Sequence, residues 1–76
     1  MGARLPVVSG RQAAKAFEAL GWQFLRQRGS HMVYGRPGVP ANLAIPDHRE
    51  LALGTLRALI RCAGIDVGTF IEVLDR

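Results

Sequence analysis

The chain has one cysteine, one lysine, one tryptophan, one tyrosine and only six acidic residues. A lone Cys62 excludes an internal disulfide, the usual staple of a small secreted domain, so a reducing cytoplasm is the expected setting. No apolar run approaches the roughly 20 residues needed to span a bilayer, and no membrane contact is expected. Arg4, Pro6 and Arg11 interrupt any secretion-signal core. Met1-Gly2 opens like an acylation site, but Pro6 stands where that motif needs Ser or Thr. Length excludes more. Seventy-six residues form one domain, residues 1–76, that buries about 62% of its unfolded surface. A dinucleotide-binding domain, a barrel enzyme or any large enclosed pocket is too big for this chain.

What is present is positive charge, unevenly placed. Nine of the ten basic residues are arginine, and the net charge is +4. Residues 1–46 hold Arg4, Arg11, Lys15, Arg26, Arg28 and Arg36 against the single acid Glu18, whereas residues 47–76 hold four arginines against five acids. A basic front half suits a polyanion, because arginine donates two parallel hydrogen bonds to phosphate and releases its counterions. Solubility alone is the plainer explanation of the same charge.

The pattern of residues predicts α-β-β-β-α-α. Ser9 and Gln12 make a capping box for a helix over about residues 10–20, with Ala13, Ala16, Phe17 and Leu20 on one face and Gly21 as its stop. Trp22 to Arg28 reads as a strand, Gly29-Ser30 as a tight reversal, and His31 to Gly35 as the hairpin partner. Arg36 to Pro40 reads as a loop on its prolines and glycine. Leu43 and Ile45 alternate with Asn42 and Ala44 in a third strand that Pro46 ends. Thr55 is the expected cap of a second helix bearing Leu56, Leu59, Ile60 and Ala63, and Asp66 the cap of a third bearing Phe70, Val73 and Leu74. Helices bracketing a three-stranded antiparallel meander pack on one sheet face, an α+β arrangement. The other face is left open for a flat binding site.

The chemistry on offer is sparse. Only His31 and His48 exchange protons readily near neutral pH. His31 follows Gly29-Ser30 at the start of the second strand, flanked by Arg26 and Arg28 on the strand expected to pair with it. That combination suits RNA phosphodiester cleavage: an imidazole takes the 2′-hydroxyl proton while guanidiniums hold the phosphate. A histidine at a strand start is more commonly structural, so the spacing alone decides nothing. No metal is expected, since His31, His48 and Asp47 lack ligand spacing and cysteine partners. No cofactor is expected either: Gly35, Pro37 and Gly38 fit neither a phosphate loop nor a dinucleotide fingerprint. Arg57 and Arg61, one helical turn apart, are a solvated face or a phosphate contact. Trp22, Phe24 and Tyr34 are available to stack on bases, with at least Trp22 or Phe24 needed in the core.

Taken together, several segments resemble the HicA toxins of toxin–antitoxin pairs. They are Leu5-Pro6-Val7-Val8-Ser9-Gly10-Arg11, Leu20-Gly21-Trp22, Arg26-Gln27-Arg28-Gly29-Ser30-His31, Ile45-Pro46-Asp47-His48, Gly54-Thr55-Leu56-Arg57 and Ala63-Gly64-Ile65 before Phe70. The resemblance runs in order over residues 5–74. It implies a fold like a double-stranded-RNA-binding domain and the activity of an mRNA interferase, an endoribonuclease that arrests growth. It also implies that His31, from the Gly-Ser-His block, is the catalytic residue, and that a HicB-type antitoxin is the protein partner. His48 falls at a position often histidine in the family. The Asp47-His48-Arg49-Glu50 connection is shorter and less basic than in many members, and Ala52 and Leu53 stand where basic residues are common.

The reading is therefore a metal-independent endoribonuclease acting on mRNA through His31, with His48 as a second acid–base candidate. Arg26, Arg28, Lys15, Arg36 and Ser30 are its RNA-binding candidates. The alternative is a non-catalytic module that binds structured RNA through the same basic face; a third reading is a purely protein-binding partner.

Overall fold

A computed structural model describes residues 4–76. The acylation-like Met1-Gly2 start lies outside the described residues. The order of elements is α1 (Gly10–Ala19), β1 (Gln23–Arg28), β2 (His31–Arg36), β3 (Val39–Pro46), α2 (Leu53–Cys62) and α3 (Val67–Leu74). The strands form one antiparallel sheet in the order β1-β2-β3. Helices cover one face of it, so the fold is the α+β, double-stranded-RNA-binding-domain-like arrangement expected from the sequence.

Local chemistry sets most of the boundaries. The Ser9 hydroxyl accepts from the Gln12 N–H at 3.0 Å, and the Gln12 amide oxygen accepts from the Ser9 N–H at 2.8 Å. Two otherwise orphaned donors are satisfied at the start of α1. At its end the Trp22 N–H reaches the Phe17 carbonyl and the Gly21 N–H reaches the Glu18 carbonyl, the paired bonds of a Schellman stop. Trp22 thus closes the helix and does not begin β1. It is buried at 2% exposure.

Two further boundaries differ from expectation. Residues 36–40 are not a loop: β2 runs through Arg36, which pairs with Val39, and only Pro37-Gly38 turns. Gly38 supplies φ +82°, which with Pro37 before it is what a type II turn requires. Pro40 is tolerated inside β3 because β3 is an edge strand and its register against β2 is irregular between Val39 and Leu43. Helix α2 begins at Leu53, so its cap is Ala52, which offers no side-chain bond, and Thr55 falls inside the first turn. The entry is fixed instead by buried Leu51, whose N–H donates to the Val8 carbonyl at 2.8 Å.

The core lies between helices and sheet. Phe17, Trp22, Leu43, Ile45, Leu56 and Phe70 are its largest fully buried side chains. The Phe17 and Phe70 rings sit 5.3 Å apart at 47° and lock α1 to α3. Met32 and Tyr34 of β2 join this core, while Val33 between them is buried apart from it. Period two along β2 thereby identifies the faces: Met32 and Tyr34 look to the helices, His31 and Val33 to the other side.

Candidate functional site

On the face away from the helices lies an open cleft of about 810 Å³. Val33 and Ala44 form its apolar floor, Arg26, Arg28, Gly29 and His31 one side and end, and Asn42 the other end. A break in strand regularity creates this set. Phe24 pairs with Tyr34, but Arg26 pairs with Val33, leaving one extra residue on β1 between them. Such a bulge reverses which face the following side chains take. Without it, Arg26 and Arg28 would share the helix side with Phe24; with it, they join His31. Cross-strand pairing puts Arg28 directly opposite His31, with Pro46 opposite His31 on the other flank. Partners so paired stand about 5 Å apart at their Cα atoms.

The segment after β3 is tied to this end of the sheet. The Asp47 N–H donates to the Ser30 carbonyl at 2.7 Å, and the His48 carbonyl accepts from the Gly10 N–H at 2.9 Å. The Asp47 carboxylate also receives both Nε and Nη2 of Arg11, at 3.2 and 3.3 Å. This two-point bond, with the carboxylate charge behind it, raises the Arg11 pKa further above its ordinary value. This surface ion pair links the first turn of α1 to the segment after β3. His48 is exposed and stands two residues beyond Pro46, so both histidines occupy the same end of the sheet. Ser30 contributes a backbone carbonyl to this strap from the hairpin turn.

The remaining sequence candidates lie elsewhere. Lys15 is exposed on α1, beside a shallow depression it shares with Arg11, Glu18 and Tyr34 on the helix side. Arg36 sits at the far end of β2 from His31, its guanidinium over Gly21 at the end of α1. There it complements the negative end of the helix dipole. Neither shares the cleft. Arg57 and Arg61 are exposed on α2. Among the three aromatics considered for stacking, Trp22 and Tyr34 are buried, and Phe24 is on the helix side, edge-on to Tyr34 at 5.7 Å. Among the described residues no aromatic ring lines the cleft.

Among the described residues Tyr34 carries the one large titration shift. Burial, reinforced by its hydroxyl donating to Glu18 at 2.7 Å, pushes its phenol up to about 12. Among the described residues no group of three His, Cys, Asp or Glu side chains is placed to hold a metal ion, and no helix is long and apolar enough to cross a membrane.

One cleft residue escaped the sequence reading, Asn42, and so did the bulged Leu25 beside the cleft, over Gly35. Asn42 had a signal. If Leu43 and Ile45 face the core, then Asn42 and Ala44 must face away. The bulge had none.

Comparison with protein families finds a match over residues 10–65 to the family described as HicA toxin of bacterial toxin-antitoxin. No curated protein matches the chain. The matched span holds α1, all three strands and α2, and therefore every residue that lines the cleft.

Proposed function

The chain belongs to the HicA toxin family of bacterial toxin–antitoxin pairs, and on that premise we propose that it is an endoribonuclease toxin that cuts mRNA at the open sheet face. The observation that carries the reading is the gathering of Arg26, Arg28 and His31 on that face by the β1 bulge. A phosphate laid across the cleft meets two guanidiniums and one imidazole together. RNA fits such a shallow surface because the substrate needs no enclosure.

In this mechanism the His31 imidazole takes the proton of a ribose 2′-hydroxyl. The 2′-oxygen attacks the adjacent phosphorus, forming the O2′–P bond as the P–O5′ bond breaks. Arg26 and Arg28 stabilise the charge gathering on the non-bridging oxygens. The departing 5′-oxygen takes up a proton, for which His48 is the second acid–base candidate. Products are a 2′,3′-cyclic phosphate and a 5′-hydroxyl. No metal enters the scheme. The protein partner is proposed to be a HicB-type antitoxin, and the cytoplasm the place of action.

The test is cleavage of a labelled single-stranded RNA in the presence of a chelator. Wild type should yield cyclic-phosphate ends, and His31→Ala should cut at least about 100-fold more slowly. Equal rates would remove His31 from the mechanism. Salt-sensitive RNA binding with no cleavage by wild type would favour the non-catalytic alternative.

A further inference from the structure

The cleft extends well beyond the groups that the cleavage step uses. Asn42 lies four residues before Pro46 on β3, and Pro46 pairs with His31. At strand rise, this places Asn42 about 13 Å along the sheet from the histidine end. Between them run Val33 and Ala44, apolar and without polar side-chain atoms. The Asn42 amide makes no hydrogen bond to any described residue. Leu25 lies beside it at 48% exposure. Both side chains crowd the same bare backbone: a Cβ on Gly35 would stand 2.8 Å from the Leu25 Cδ1 and 3.2 Å from the Asn42 Oδ1. The absence of a side chain at Gly35 leaves both of them room over the same stretch of backbone.

From this arrangement we propose that Asn42 and Leu25 form a subsite for one unpaired nucleobase of the RNA, a short distance along the strand from the phosphate held at His31. The proposal rests on the reading of the cleft as an RNA site. A nucleobase has an apolar face and a polar edge, and the subsite offers one surface for each. Leu25 and the Val33–Ala44 floor cover the face. The Asn42 amide presents a donor and an acceptor side by side, the pair that a base edge completes. Base pairs cannot serve, since a paired base has no free Watson–Crick edge and cannot lie on the sheet. The subsite thus selects single-stranded RNA and gives cleavage a preference for particular neighbouring bases. No aromatic platform is needed; the flat apolar floor takes its place.

The His31→Ala protein, which leaves RNA uncut under the proposed mechanism, provides the background for the test. Its binding to fluorescent homopolymeric octaribonucleotides of each base, and to an abasic octamer, is measured by anisotropy. The expected result is a spread of about tenfold or more among the four bases, with the abasic oligomer weakest. Adding Asn42→Ala should collapse the spread to about twofold, and Leu25→Ala should weaken every oligomer that carries bases but not the abasic one. Asn42→Asp, which keeps the shape but offers acceptors only, should reorder the preference. Thermal melts verify that each exposed-site variant stays folded. Equal binding of abasic and base-bearing oligomers, or an unchanged spread in Asn42→Ala, overturns the subsite. His31-dependent cleavage by wild type alongside equal binding would sink the subsite alone. Base-dependent binding alongside cleavage that persists in His31→Ala would sink the catalytic reading alone.

Discussion

Phe24 and Arg26 stand two residues apart on one strand and face opposite sides of the sheet. Regular alternation would put them together. Phe24 pairs with Tyr34 and meets its ring, while Arg26 pairs with Val33 and lines the cleft. One extra residue on β1 thus decides whether the arginines sit under the helices or beside the histidine.

The first expectation concerns charge. Arg26→Ala and Arg28→Ala should each weaken RNA binding and reduce the slope of log K against log salt by about 1. Lys15→Ala and Arg36→Ala, away from the cleft, should leave the slope nearly unchanged. Titrations at several salt concentrations read this directly. Equal losses from all four would mean a diffuse electrostatic footprint.

His31 is exposed on its strand, so its role separates cleanly from stability. His31→Ala should slow cleavage at least about 100-fold while shifting unfolding free energy by less than about 0.5 kcal/mol. Paired nuclease assays and thermal melts make the comparison.

Core substitutions should do the reverse. Phe17 is fully buried against Phe70, and Phe17→Ala should cost about 3–5 kcal/mol. A domain this small has only about 4–11 kcal/mol to lose. Urea unfolding should show a large fall in midpoint, with the variant partly unfolded at 37 °C.

Tyr34 is the only tyrosine in the chain, so tyrosinate absorbance reports it alone. Its phenol should ionise near pH 12 in the folded protein, against about 10 in the unfolded chain. Because the folded value is the higher, the stabilisation is whole below pH 10 and is lost as pH rises toward 12. Tyr34→Phe should remove this alkaline decline and cost about 1 kcal/mol at neutral pH through the lost bond to Glu18. A titration midpoint near 10 in the folded protein would contradict the buried, bonded hydroxyl.

Gly10 offers a substitution where propensity and packing disagree. Alanine is the better helix former by about 1 kcal/mol. Yet a Cβ at Gly10 would collide with the Pro46 carbonyl backbone, where the strap carrying Asp47 and His48 leaves the sheet. Gly10→Ala should therefore lower the melting temperature and reduce cleavage together.

Much of this was legible in the residues because it is local. The Ser9–Gln12 box and the Asp66 cap act within one turn, and both are made as read: the Thr69 N–H donates to the Asp66 carboxylate, which holds its pKa below the ordinary range. The meander and the helix layer followed from periodicity. Non-local effects were hidden. Pro40 reads as a breaker until its strand is known to be an edge. Thr55 reads as a cap until Leu51 is seen anchored to Val8. Trp22 looks like a strand residue until the Schellman bonds turn it inward. The cleft depended on the least visible feature, a bulge at Leu25–Arg26 that carries no proline or glycine. His31 and its arginines could be proposed as neighbours, but their common face could not be derived.

Every residue of β1 is exposed, from Gln23 to Arg28, although its neighbour β2 carries four consecutive buried positions. The strand that supplies the arginines is thus held mainly by its ladder to β2, and it is the margin of the sheet that opens most cheaply. Its side chains can also be exchanged with little disturbance to the interior. If the domain cuts mRNA as proposed, the β1 side chains that meet the RNA can be varied while β2 and the core keep their structure. The proposed RNA contacts and the stability of the fold thus rest on separate residues.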